Sequence, residues 1–162
     1  MRRLVLMRHA KTQASHPRGD HSRELLPAGV QDAQEAGLQL RPLDLEHALV
    51  STATRARQTF AALGLDIPVE YLDDLYYEGV DALIRHISET DPAVNGLLVV
   101  GHAPTIPALA SHLGNASNSQ EADRLQCWYP TSTFTEFTFD DDWSSLAPFE
   151  LGHVTMERTV RR

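Results

Sequence analysis

The sequence is poor in cysteine, in long apolar runs and in positive charge. Cys127 is the only cysteine in 162 residues, which excludes a disulfide framework within the chain and a cysteine metal site. The first apolar run, residues 4–7, stops at Arg8 and is shorter than a secretory signal, which needs about 7–15 apolar residues. No run approaches the roughly 20 residues of a membrane span. We therefore expect a cytoplasmic protein without a membrane partner.

Acidic side chains outnumber basic ones, 22 to 14, which gives a net charge of −8. A surface with this excess repels nucleic acids and anionic lipids, so neither is expected as a partner. The length fits a single domain, 1–162, that is large enough to bury a core. Apolar residues make up 42% of the chain and charged residues 22%, which is typical of a globular protein.

Strand and helix patterns alternate along most of the chain. Short apolar or alternating runs predict strands over residues 4–7, 47–51, 68–72, 97–101, 133–139 and 150–156. Apolar residues at helical spacing predict helices over residues 27–41, 53–63, 80–87 and 104–113. This order predicts an α/β fold, a three-layer α/β/α sandwich with a mostly parallel central sheet.

Three segments are predicted to lie at the periphery. Residues 115–126 are polar and predict a surface loop. Residues 133–139 alternate apolar and polar side chains, which favours a less buried, antiparallel edge strand. The acidic run 140–142 predicts a solvated turn rather than a metal site, because it lacks histidines at ligand spacing. We expect no metal ion and no cofactor.

Two of the predicted strands end in the same way. The run LVLM leads into Arg8 and His9, and the run LLVV leads into Gly101 and His102. Ligands of open α/β sheets bind at the carboxyl ends of the strands, so both histidines fall where a site is expected. Arg55 follows a third strand and lies near the start of the next helix, and helix N-termini favour anions.

Arg8, His9, Arg55 and His102 together suit a dianionic phosphate. Arginine binds phosphate oxygens through a bidentate fork of N–H groups. A neutral imidazole aimed at phosphorus is a nucleophile, and a second imidazole stabilises charge on the equatorial oxygens. The pattern therefore favours phosphoryl-transfer chemistry.

A single histidine in a loop is usually an ordinary polar residue. We expect no functional role for the remaining histidines, namely His16, His21, His47, His86, His112 and His153. In the helix that carries Arg55, Ala53 and Ala56 are predicted to lie in the core and Thr59 on the surface.

Three motifs together resemble the histidine phosphatase superfamily, in its phosphoglycerate-mutase-like branch. Arg8-His9-Ala10 is similar to the Arg-His-Gly signature, with alanine in place of glycine. Residues 51–59, STATRARQT, resemble the Ser-x-x-x-Arg-Ala-x-Gln-Thr segment, and Gly101-His102 resembles the second histidine motif. The short chain and the stretches at 22–29 and 131–143 resemble the SixA-type phosphohistidine phosphatases.

The resemblance implies a role for each matching residue. His9 would be the nucleophile that becomes phosphohistidine, and Arg8, Arg55 and His102 would form the phosphate pocket. Arg23 stands where SixA-type proteins carry a further arginine, so it would also face the phosphate. The change to Ala10 removes no catalytic group and forbids only the positive-φ backbone open to glycine, so we expect an active enzyme.

The substrate and the proton donor remain open at this point. A protein phosphohistidine and a small phosphate ester both suit the pocket. Relatives that cleave esters carry an acid after the third strand. Asp74 lies nearest that position here and Glu78 is the second candidate, although either also fits a solvated acidic loop. A non-catalytic phosphate-binding module is disfavoured because both histidines and both arginines are present, and a mutase is disfavoured by the short chain.

Overall fold

The computed structural model describes residues 1–146 and 153–162. Within them the strands are β1 (Arg2–Arg8), β2 (His47–Ser51), β3 (Val69–Leu72), β4 (Gly96–Gly101), β5 (Phe134–Phe139) and β6 (Thr155–Val160). The α-helices of the same residues are α1 (Pro27–Leu40), α2 (Thr54–Leu63), α3 (Asp74–Tyr77), α4 (Val80–Ser88), α5 (Thr105–Gly114) and α6 (Ser119–Cys127). The predicted strands up to residue 139 and the four predicted helices are confirmed, with ends that shift by at most two residues.

The strands form one sheet in the order β3-β2-β4-β1-β5-β6. The first four strands are parallel, and β5 and β6 run antiparallel to their neighbours. Arg8 pairs with Gly101 across β1 and β4, and Val50 pairs with Val100 across β2 and β4. The carboxyl ends of β1, β4 and β2 therefore lie side by side at the same end of the sheet.

The central strands are apolar throughout because both of their faces are covered. Leu4 and Leu6 of β1 belong to a core cluster that includes residues of α4, α5 and α6. Val5 and Met7 belong to a second cluster that includes residues of α1 and α2. The side chains of successive strand residues point to opposite faces, so one apolar run supplies both clusters. The predicted α/β/α sandwich is confirmed.

Strand β5 differs from its prediction in burial. It is antiparallel, as expected, but each of its residues is buried, and β6 rather than β5 lies at the edge of the sheet. Its polar residues are buried because they have partners. Glu136 accepts a hydrogen bond from Nε of Arg3 at 2.8 Å and from Nε of Arg158 at 2.9 Å. Of the strand predicted over 150–156, residues 150–152 lie outside the described residues, and β6 begins at Thr155.

The segment 115–126 was predicted as a loop, and this is wrong. Residues from Ser119 onward form α6, and the side chain of Asn118 caps the helix by accepting a hydrogen bond from the backbone N–H of Glu121 at 3.1 Å. Only Ala122 and Leu125 are buried along α6, so its apolar face is too narrow to stand out in a polar sequence. Across the described residues, none of the helices has the length and apolar character needed to cross a membrane.

A close backbone approach fixes the loop that follows β1. A Cβ atom on Gly29 would lie 2.2 Å from the carbonyl oxygen of Lys11, so only glycine allows α1 to pack there. The backbone N–H of Leu26 donates to the same oxygen at 3.0 Å. Gln13 and Glu24 add a further backbone hydrogen bond of 2.9 Å across the base of the loop. These contacts close the base of the loop that carries Asp20.

Candidate active site

The two motif histidines meet because their strands are neighbours in register. His9 directly follows β1 and His102 directly follows β4, and the backbone N–H of His9 donates to the carbonyl oxygen of Gly101 at 2.9 Å. The centres of the two imidazole rings lie 5.2 Å apart. The sheet register thus brings both side chains to one point at the edge of the sheet.

His9 is held as a neutral imidazole with one nitrogen free to react. Only 5% of the residue is exposed, and Nδ1 lies 2.8 Å from the carbonyl oxygen of Ala10. A carbonyl oxygen only accepts, so Nδ1 carries the proton and Nε2 keeps its lone pair. Burial lowers the pKa of His9 to about 3, with further contributions from His102, Arg55 and Arg8.

His102 is also held at one of its ring nitrogens. Its Nε2 lies 2.8 Å from Oγ of Ser51, and that oxygen accepts from the backbone N–H of Ala53 at 3.2 Å. The hydroxyl of Ser51 can donate its proton to Nε2, and the imidazole then carries its own proton on Nδ1, as in His9. Nδ1 is buried and has no hydrogen-bond partner among the described residues. Burial, followed by the charge of Arg55, lowers the pKa of His102 to about 4.

Each of the two arginines has an N–H group without a hydrogen-bond partner among the described residues. Arg55 is the second residue of α2 and is 6% exposed, and Arg8 is partly buried and donates from Nη1 to the carbonyl oxygen of Tyr129 at 2.9 Å. In the described part of the chain, Nε of each arginine is buried without a partner. Burial, followed by the charge of Arg55, lowers the pKa of Arg8. An unsatisfied buried donor costs about 1–3 kcal/mol, and an oxyanion that accepted hydrogen bonds from these groups would remove that cost.

Asp20 provides a negative charge in direct contact with Arg55. Its backbone carbonyl accepts from Nη1 of Arg55 at 2.9 Å, and its Oδ2 accepts from Nη2 at 3.1 Å. The hydroxyl of Tyr76 donates to the same Oδ2 at 2.6 Å. Arg23 donates to Oδ1 at 2.8 Å and, from Nε, to the carbonyl of Gln13 at 2.7 Å. Arg23, expected to face the phosphate, is thus linked to Arg55 through the carboxylate of Asp20.

Thr59 is buried, with no exposed surface, so its predicted surface position is wrong. Its Oγ1 accepts from the backbone N–H of Ala10 at 3.0 Å and donates to the carbonyl of Arg55 at 2.7 Å. The threonine thereby joins the backbone beside His9 to the helix turn that carries Arg55. Ala10 is not among the described residues with positive φ, which fits the expectation that alanine is tolerated there.

The two candidate proton donors lie in different surroundings. The carboxylate of Asp74 accepts from Nε2 of His86 at 2.7 Å and from Arg85 at 3.0 Å, and these contacts, His86 first, lower its pKa. Glu78 lines a small cavity together with His102. The structure therefore places Glu78, rather than Asp74, at a cavity that His102 also lines.

Asp20 and Tyr76 are candidate site residues that the sequence reasoning missed. Asp20 lies three residues before Arg23, and this spacing within a loop was the available signal. Tyr76 lies on the single turn α3, where its ring centre is 5.6 Å from that of His102 and 5.7 Å from the guanidinium carbon of Arg55. His21 packs its ring edge-on against Tyr76 at 4.7 Å, so it belongs to the rim of the pocket.

Comparison with known proteins agrees with this geometry. The model of the histidine phosphatase superfamily, branch 1, matches residues 4–76. A solved structure of a proposed phosphohistidine phosphatase SixA from Nakamurella multipartitia is 34% identical, covers 99% of this chain and 95% of that one, and superposes with a TM-score of 0.87. This chain belongs to the histidine phosphatase superfamily. Within that superfamily it is of the SixA type.

Two further relatives extend the likeness over nearly the whole chain. An uncharacterized protein of Mycobacterium leprae is 39% identical over 149 residues, which is 86% of this chain and 91% of that one. The structure of a protein histidine phosphatase SixA in complex with tungstate shares the fold, with a TM-score of 0.77 at 23% identity, and covers 97% of this chain and 95% of that one. The superfamily membership and the pocket agree in identifying the chain as a phosphatase.

We expect the free energy of unfolding to fall as the pH drops from about 7 toward about 4. Unfolded histidines titrate near 6.5, whereas His9 and His102 in the folded chain titrate near 3 and 4. In this window the unfolded chain binds more protons, so stability rises with pH and is lost as acid is added. Urea unfolding at several pH values measures the slope, which His9→Asn should flatten.

The control is His16→Asn, which removes a histidine outside the pocket and should leave the slope as in the wild type. An equal slope in the wild type and in His9→Asn would show that His9 is not held neutral by the fold.

Proposed function

We propose that this phosphatase transfers a phosphoryl group to His9 and then to water, without a metal ion. One observation carries the proposal. The free Nε2 of a buried neutral His9 lies in a pocket with two arginines and His102, each of which has a buried nitrogen without a partner among the described residues. Such a pocket suits the three equatorial oxygens of a phosphoryl group, with the nucleophile on the remaining side.

The proposed reaction has two displacements. Nε2 of His9 attacks phosphorus, the bond to the leaving group breaks, and the leaving group takes up a proton. Water then attacks the phosphohistidine, the P–N bond breaks, and orthophosphate is released. Arg8, Arg55 and His102 donate hydrogen bonds to the oxygens as their charge increases. The carbonyl of Ala10 stabilises the positive charge on the His9 ring through the Nδ1 proton.

The charge of the pocket supports the absence of a metal from the mechanism. Arg8 and Arg55 already provide two permanent positive charges at the point where a metal ion would bind the phosphate. The described residues contain no group of three or more histidines, cysteines or carboxylates that could hold a metal ion.

Two features favour a protein phosphohistidine as the substrate. An imidazole leaving group departs readily once protonated, so it depends less on a dedicated acid, and Asp74 is held ionised by His86 and Arg85. The ring of Tyr76 lies beside His102, and Tyr77, 70% exposed, packs against it with 4.8 Å between ring centres. These aromatic rings offer a surface on which an imidazole can stack. The likeness to SixA proteins supports the same choice.

The first prediction is a covalent adduct on His9. Rapid quench with a labelled phosphodonor in EDTA should trap an acid-labile, base-stable phosphoryl group, since a P–N bond breaks on protonation. His9→Ala should abolish the adduct. Label on a peptide without His9, or turnover that needs a divalent ion after EDTA treatment, would refute the mechanism.

The second prediction compares two arginines of α2. Arg55→Ala should lower kcat by about 10²–10³, because one preorganised donor to the developing charge is lost. Arg57→Ala is the matched control. Arg57 is exposed, donates to the backbone of Thr52 and lies over Tyr71, so its loss should change kcat by less than about threefold.

The same assay should give an Arg55-like loss for Arg8→Ala and a smaller one for Arg23→Ala, which is held by Asp20. Equal effects of Arg55→Ala and Arg57→Ala would remove Arg55 from the pocket.

The third prediction concerns the leaving group. The kcat/KM value should be higher for a phosphohistidine protein domain than for a sugar phosphate, with p-nitrophenyl phosphate as a reference. Glu78→Gln should slow ester cleavage more than Asp74→Asn does, because Glu78 lines the cavity beside His102, and neither should slow phosphohistidine cleavage as much. A tenfold preference for the sugar phosphate, about 1.4 kcal/mol, would make the enzyme a metabolic phosphomonoesterase instead.

A further inference from the structure

The guanidinium group of Arg55 presents two edges that can each bind an oxyanion with two N–H groups. Asp20 occupies the outer edge, since its carbonyl oxygen accepts from Nη1 at 2.9 Å and its carboxylate accepts from Nη2 at 3.1 Å. The other edge contains Nε, which is buried and lacks a partner among the described residues. The edge left to a substrate is thus determined by Asp20.

Asp20 is itself held on several sides. Tyr76 donates to Oδ2 at 2.6 Å and Arg23 to Oδ1 at 2.8 Å. These contacts, the Tyr76 hydroxyl first, hold the pKa of Asp20 well below its usual range, so the carboxylate stays charged. Gln13 fixes Arg23 through its carbonyl oxygen at 2.7 Å. The carboxylate that binds Arg55 is therefore itself held by Tyr76 and by Arg23.

We propose that Asp20 is a positioning residue for the phosphatase reaction. It holds the outer edge of Arg55, with Tyr76 as its support, so that the Nε edge faces the phosphoryl group on His9. This inference rests on the proposed function, because it assigns Arg55 to the phosphate.

A competing interpretation makes the Asp20 carboxylate an internal mimic of phosphate that the substrate must displace. Two observations favour positioning. The backbone carbonyl of Asp20 takes part in the grip, and a substrate does not displace a backbone oxygen without moving the loop. With Asp20 in place, Nε of Arg8, Nε of Arg55 and Nδ1 of His102 still have no partner in the described part of the chain. The carboxylate therefore leaves the donors that would bind phosphate free.

A double-mutant cycle tests the proposal. Wild type, Asp20→Asn, Arg55→Ala and the double variant are assayed with p-nitrophenyl phosphate, and kcat and KM are determined separately. Asp20→Asn should lower kcat by about tenfold with KM changed by less than about threefold, since a misplaced donor affects the transition state most. In the Arg55→Ala background the same substitution should change kcat by less than about twofold, because the arginine that it positions is absent.

Asp73→Asn is the matched control, because it removes the same charge from a residue that accepts a hydrogen bond from Thr52 at 2.7 Å. It should change kcat by less than about twofold. Tyr76→Phe is the second variant in case Asp20→Asn does not fold. It removes one support of Asp20 and should lower kcat by a smaller factor, with no further loss when Arg55 is absent.

The outcomes separate the inference from the proposed function. An unchanged or raised kcat in Asp20→Asn, with tighter inhibition by orthophosphate, would mean that Asp20 competes with phosphate. An equal loss with and without Arg55 would mean that Asp20 acts elsewhere. Either result overturns the positioning role while the wild type still forms its His9 adduct. Failure of the wild type to form that adduct would overturn the proposed function instead.

Discussion

The site depends on the parallel pairing of β1 with β4, in which Arg8 lies opposite Gly101. A shift of one residue would turn each side chain of β1 to the other face of the sheet and move His9 away from His102. The register is strongly determined because both faces of β1 are buried against apolar clusters. On its other side β1 is bonded near the site to the segment before β5, since Thr133 accepts from the N–H of Arg8 at 3.0 Å. The packing of the apolar core thus determines where the polar side chains of the site lie.

Burial affects the histidines and the arginines of the pocket differently. Burial lowers the pKa of His9 and of His102, so both imidazoles are neutral near pH 7. The guanidinium groups keep their charge in the same surroundings because their intrinsic pKa is far higher. The result is a neutral imidazole beside fixed cations. Unpaired buried donors cost stability, a cost that active sites commonly accept for function.

The sequence was sufficient for the framework because strand ends, helix starts and the motif residues are local features. The alternation of apolar strands with helical segments predicted the mostly parallel sheet. The histidine that follows each of two such strands predicted the histidine pair. What was mispredicted depends on distant partners. Thr59 is buried because it bonds Ala10, 49 residues away, and β5 is buried because Glu136 has Arg3 and Arg158 as partners. The spacing of apolar residues along the chain gives no information about contacts between such distant residues.

Helix α6 was missed for a different reason. Its first residues are polar, and it is stabilised by the cap from Asn118 and by two buried side chains rather than by a broad apolar face. Asp20 was missed because its contact with Arg55 spans 35 residues and joins a connecting segment to helix α2. The structure was therefore needed for the rim of the site, where side chains from separate segments meet.

The pocket and its rim are held by different kinds of interaction. His9 and His102 follow strands whose backbone bonds fix their places, whereas Asp20, Tyr76 and Glu78 come from short connecting segments outside the sheet. Residues in those segments can be substituted without altering the strand register. A fold of this kind can therefore exchange the molecules that it accepts while it retains one chemistry, so its variety over evolution is expected to accumulate in the loops around a constant centre.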